Sequence, residues 1–178
     1  MNRFIVSGRQ ALCAFLLGFF VTHAFAQTTA ANSTVSLVVV GDIMLEDDPS
    51  QAMRKGKDPF AGFATLFKNA DIRIGNLECV VATIGSPEED KPNVFRVSPK
   101  SLKFLKRHFD AVGLANNHSG DFGSQAFAQM LGLLDKAGLG VYGGGMTLAK
   151  AHTPWIGLRR VSTPNLRGRY RQARCGVE

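Results

Sequence analysis

An α/β domain is the fold this sequence predicts, and three observations predict it. Short apolar runs rich in β-branched residues recur along the chain, stretches with helical spacing of apolar residues separate them, and polar residues gather where the runs stop. Residues 35–40 form the first and strongest run, expected as a strand buried on both faces and ending at Gly41-Asp42. A turn-rich acidic stretch follows. Residues 59–70 place Phe60, Phe63, Ala64 and Phe67 at helical spacing, which predicts a short amphipathic helix. Residues 72–76 read as the second strand.

Residues 87–93 are charged and turn-prone, and 94–97 read as a short strand. Pro99 then opens a helix whose Leu102, Leu105 and Phe109 face inward. The third strand covers 111–114 and runs into Ala115-Asn116-Asn117-His118. Ser124 opens the clearest helix, with Phe127, Met130, Leu131 and Leu134 on one face, Lys136 in its last turn and Gly138 placed to end it. A fourth strand over 139–142 precedes Gly143-Gly144-Gly145, which reads as a turn because no phosphate-loop pattern surrounds it. A helical turn at 147–151 and the start of a strand at 155–158 complete the pattern, which fails beyond that point.

The 178 residues, 45% hydrophobic and 20% charged, describe a folded protein rather than a disordered chain or a membrane bundle. The net charge of +7 would invite a nucleic-acid reading, but it sits at the ends. Residues 1–26 carry Arg3 and Arg9 without an acid, and 159–178 carry six arginines and only Glu178. Between them 13 basic side chains balance 13 acidic ones, so no nucleic-acid partner is expected.

Arg3 and Arg9 precede an apolar run over 11–26 that ends in Ala24-Phe25-Ala26, the small-x-small pattern of an export signal. Cleavage near Ala26 is expected, leaving 27–34 as a linker and placing the protein outside the cytoplasm, in the periplasm or at the cell surface. The run falls short of the roughly 20 residues of a spanning helix; an uncleaved signal is the alternative route to membrane association. Cys79 and Cys175 remain after cleavage, so one disulfide is open to the chain, and no Cys/His spacing indicates zinc.

In α/β sheets, ligands collect at the carboxyl ends of the strands. Asp42 follows the first strand, Asn76 and Glu78 the second, and Asn116, Asn117 and His118 the third, with Asp121 three residues further on. Carboxylates and amide oxygens converging from separate strands suit a divalent cation. His118 would act as a general acid or phosphate contact, oriented through its other ring nitrogen by Asp121. Each residue also has an ordinary structural reading: Gly-Asp as a turn or cap, Glu78 as a solvated side chain, and Asn-Asn-His as a left-handed turn.

Read in order, Gly41-Asp42-Ile43-Met44-Leu45, Asn76-Leu77-Glu78 and Ala115-Asn116-Asn117-His118 with Asp121-Phe122-Gly123 resemble the CapA family of bacterial capsule-synthesis proteins, also called poly-gamma-glutamate biosynthesis proteins. Gly140 to Gly145 and Ala149 to Pro154 resemble segments that follow in the family. The resemblance covers 35–158. It implies a metallophosphoesterase-like two-sheet sandwich flanked by helices, in extracytoplasmic proteins that make or export an anionic capsule polymer. It also implies Asp42, Glu78 and Asn117 as ligands of a divalent metal (Mn, Zn or Fe), with His118 catalytic and Asp121 beside it.

The family's later motifs of the type H-x-G-x-E and G-H-H-P-H are not found, and the Arg-rich residues 159–178 read as the mark of a truncation or a frame change. Three functions follow as expectations: an exported capsule or poly-gamma-glutamate biosynthesis protein partnered by the polymer or its machinery, a periplasmic metal-dependent phosphoesterase-like hydrolase, and a non-catalytic polymer-binding scaffold.

Overall fold

A computed structural model describes residues 34–160 and 170–175; the expected export signal, residues 27–33 and the rest of the Arg-rich segment lie outside them. Four parallel strands make the central sheet: β1 (Leu37–Ile43), β2 (Ile72–Leu77), β5 (Ala111–Gly113) and β6 (Gly140–Tyr142), in the order β1-β2-β5-β6. Strand order thus follows chain order, and the connections carry the helices, as parallel strands require. The mixed α/β fold with a parallel sheet flanked by helices is the fold expected, and it is consistent with a metallophosphoesterase-like arrangement. Beside this sheet lie two-stranded ladders, the parallel pair β3 (Val80–Val81) and β4 (Arg96–Val97), and the antiparallel pair β7 (Trp155–Arg160) and β8 (Tyr170–Cys175). β7 therefore continues past Leu158, and part of the Arg-rich segment is a strand.

Helices cover one face of the sheet. α3 (Leu102–His108) starts at Pro99 in a 3-10 turn, where the Ser98 hydroxyl accepts from Lys100 N, and it buries Leu102, Phe104, Leu105 and His108. α4 (Gly123–Lys136) buries Ala126, Met130 and Leu134, four residues apart, against a core that includes Ile43, Leu77, Val80, Val81, Val112 and Leu114. Gly138, at φ +66°, ends it as the spacing predicts. The N–H groups of Gly138 and Leu139 return to the carbonyls of Asp135 and Leu134, which satisfies the last turn.

Two expectations about elements fail for physical reasons. Among the described residues β1 is an edge strand rather than one buried on both faces: Val38 and Val40 pack on the helix-side core, but Leu37 and Val39 are 51% and 62% exposed. The helix expected over 59–70 is shorter, a 3-10 turn at Ala61–Phe63 followed by α2 (Ala64–Lys68). Gly62 in its first turn carries the conformational cost that weakens a regular helix there. The acidic stretch before it contains an unexpected helix, α1 (Asp47–Arg54), with Asp47 and Asp48 in its first turn and Arg54 in its last.

At the helix-side core, Phe60, Phe67 and Phe109 meet at centroid distances of 5.2 to 6.5 Å around His108. His108 Nε2 lies 2.8 Å from Asp58 Oδ2, which also accepts from Arg107. Burial pushes the Asp58 carboxyl upward, but the hydrogen bonds from His108, Phe60 N and Arg107 outweigh it and hold the group below its ordinary value. Cys79 is a free thiol with no exposed surface, and burial raises its pKa to about 12.

Candidate functional site

A one-residue bulge aims Asp42. β1 and β2 pair Val39 with Ile74 and then Asp42 with Asn76, so one more residue lies on β1 than on β2. Strand side chains alternate, and without the extra residue Asp42 would fall on the face opposite Asn76; the bulge returns it to the same side. Gly75 makes the bulge fit. A Cβ there would stand 2.5 Å from Val40 Cγ2 and 2.7 Å from Ile43 Cδ1.

Asn76 then joins two carboxylates. Its Nδ2 donates to Asp42 Oδ1 at 2.8 Å and also to Glu78 Oε2. Asn116, at the end of β5, donates Nδ2 to Asn76 Oδ1 at 2.8 Å and to Leu77 O at 2.9 Å. Asn116 Oδ1 in turn accepts from His118 N at 2.9 Å. The buried Ser119 hydroxyl donates to Leu114 O at 2.7 Å and fixes the base of the same turn. The carboxyl ends of three adjacent strands are thereby tied into one network.

His118 carries the network to a buried acid. Its Nδ1 lies 2.8 Å from Asp121 Oδ2, and Asp121 has no exposed surface. Phe95 N donates to the same oxygen at 2.7 Å, and Lys91 Nζ reaches Oδ1 at 2.5 Å. Burial alone would raise the Asp121 pKa; the hydrogen bonds from Lys91, His118 and Phe95 N reverse this and leave it below its ordinary value. The carboxyl is therefore ionised at neutral pH, and the ring nitrogen facing it carries a hydrogen. The Phe95 ring packs on the imidazole at 4.5 Å, so both the tautomer and the plane of His118 are set.

The segment between β3 and β4 forms the third side. Glu88 N donates to Asp121 O at 2.8 Å, Lys91 also donates to Asn117 O, and the Arg96 guanidinium lies 4.2 Å over the Phe122 ring while donating to Gly85 O. Of the residues singled out from the sequence, Asp42 and Glu78 meet through Asn76, and His118 meets Asp121. Asn117 is exposed and joins through its carbonyl; the side-chain amide that reaches the carboxylates is that of Asn76, which Asn116 holds from behind. Lys91 and Phe95 were not singled out, because 87–93 reads as a solvated turn and an aromatic at 95 reads as core.

These residues do not make a cage for a divalent ion. The two carboxylates converge on an amide N–H group rather than on a further oxygen, and no cluster of three His, Cys, Asp or Glu able to hold a metal occurs among the described residues. What the arrangement offers chemically is an imidazole held by a buried carboxylate, next to a hydrogen-bonded acid pair.

Comparison with known proteins bears on the whole of this region. The family described as bacterial capsule synthesis protein PGA_cap matches residues 36–162. The uncharacterized protein y4uA of Sinorhizobium fredii (strain NBRC 101917 / NGR234) is 32% identical over 133 residues, covering 70% of this chain and 28% of that protein. The PGA biosynthesis protein CapA of Bacillus subtilis (strain 168) is 31% identical over 127 residues, 69% of this chain and 33% of that protein. The chain spans about a third of the length of the curated relatives it matches.

Proposed function

The chain belongs to the bacterial capsule synthesis protein PGA_cap family, and from that membership we propose that it acts in the biosynthesis or export of an anionic capsule polymer of the poly-gamma-glutamate kind, outside the cytoplasm. One observation carries this reading: the match runs over the residues that build the site, from Asp42 through Asn76, Glu78 and Asn116 to His118 and Asp121. The likeness to a relative named for PGA biosynthesis supports the polymer, and the apolar run behind Arg3 and Arg9 supports export. The partners are then the growing polymer and the proteins that make or move it.

The His118–Asp121 pair favours a second, more specific reading, in which the site hydrolyses an ester or amide of that polymer or its precursor. Asp121 would hold the imidazole with its hydrogen on Nδ1, leaving Nε2 of His118 to take a proton from the attacking water as the new bond to carbon forms and to return it to the leaving group as the ester or amide bond breaks.

Deleting the gene and staining for surface polymer tests both readings. The polymer is expected to fall in the deletion strain and to return with the wild-type gene; polymer unchanged by deletion overturns the first reading. Complementation with His118→Ala then separates the two, because failure to restore polymer supports hydrolysis, whereas full restoration leaves a binding or export scaffold.

A further inference from the structure

What stands between Asp42 and Glu78 is decided by the orientation of two side-chain amides. The oxygen and nitrogen of an amide have nearly the same shape, so their order follows from partners whose own role is fixed. The backbone N–H of His118 can only donate, and it lies 2.9 Å from the amide of Asn116, which must present its oxygen there. The nitrogen of Asn116 then points at Leu77 O, which can only accept, and at Asn76. Asn76 consequently turns its oxygen to Asn116 and its nitrogen to the carboxylates. Both hydrogens of that nitrogen are used, one on Asp42 and one on Glu78. From His118 N to the acid pair, every donor meets an acceptor.

A cation seated between the same carboxylates would need an oxygen from Asn76, since hard ions take oxygen donors. Turning the amide to supply it would set the nitrogen of Asn76 against the nitrogen of Asn116, donor against donor. We propose that Asn76 takes the place of a divalent cation in this chain: its N–H groups bridge Asp42 and Glu78, offset their repulsion, and make the cluster complete without metal. Asn76 is thus the residue that discriminates against cation binding here, and this goes beyond the polymer reading and does not depend on it.

The test is titration of MnCl2 into the full chain after EDTA treatment, beside Asn76→Asp, with melting temperatures recorded in EDTA and in Mn2+. The wild type is expected to show no saturable uptake below about 1 mM and the same melting temperature in both. Asn76→Asp replaces the bridging donor with a third carboxylate; it should melt lower in EDTA, recover in Mn2+, and bind the ion at least roughly tenfold more tightly than the wild type. Micromolar uptake by the wild type, or uptake that Asn76→Asp weakens, overturns the proposal. If the variant does not fold, hydrogen exchange at the wild-type Asn76 side-chain amide decides: slow exchange in EDTA supports the bridge, and exchange as fast as that of an exposed asparagine removes it.

Discussion

Asp121 is the residue on which the histidine end of the site rests, because one carboxylate with no exposed surface serves Lys91, His118 and Phe95 N together. Replacing it with Asn leaves Lys91 only the more distant and exposed Glu88 as a counter-charge, and breaking a buried pair by removing one partner costs about 3 kcal/mol. Urea denaturation of Asp121→Asn should show that loss. The pH dependence has a fixed sign: a carboxyl held below its ordinary value of 3.8 contributes stability that is present above that value and is lost as pH falls through the lowered native one. Wild type and Asp121→Asn should therefore converge in stability as the solution is acidified below about pH 4, with the shared Asp58 contribution falling in both. Asp42, Glu78 and His118 were legible in the sequence because each stands just past an apolar run, and Asp121 because it falls three residues after His118. The roles of Asn76 and Asn116 were not, since the bond that joins the two amides spans 40 residues and forms only once β2 and β5 are paired.

At the scale of elements, the bulge in β1 and the glycine beneath it act together. Gly75→Val would drive new methyl groups into Val40 and Ile43, which already lie within 2.7 Å of an added Cβ. The expected destabilisation is about 2 kcal/mol or more by chemical denaturation, whereas Gly62→Ala, which meets nothing within 4 Å, should be close to neutral or stabilising. The order of strands and helices was readable from periodicity, and α4 with its Gly138 terminus was read nearly to the residue. α1 escaped because its inward face is short, only the half-buried Pro49, Ala52 and Met53, with no fully buried side chain, and because Asp-Asp-Pro resembles a turn. The bulge escaped because an extra residue in a strand leaves no mark in composition; only pairing with β2 reveals it.

Among the described residues, the central sheet carries its helix-side core on one face. On the other face Ile72, Ile74 and Ala111 pack with Tyr142 and Trp155, while Leu37 and Val39 on β1 stand exposed. Such an apolar edge promotes association. Replacing Leu37 and Val39 together with Thr should reduce concentration-dependent light scattering while changing stability by less than about 1 kcal/mol, because both side chains already lie mostly in water. The α/β class was legible at this scale, but the exposed side of β1 was not, since an edge strand and a central one can carry the same β-branched run. The polar network has a further consequence, in the time course of folding. Its bonds join residues 34, 40 and 30 positions apart, from Asp42 to Asn76, Asn76 to Asn116 and Lys91 to Asp121. Contacts of such long sequence separation form only after distant segments have been brought together. A refolding chain can thus hold its helices and still possess no site, which comes into being only when β1, β2 and β5 have settled into register.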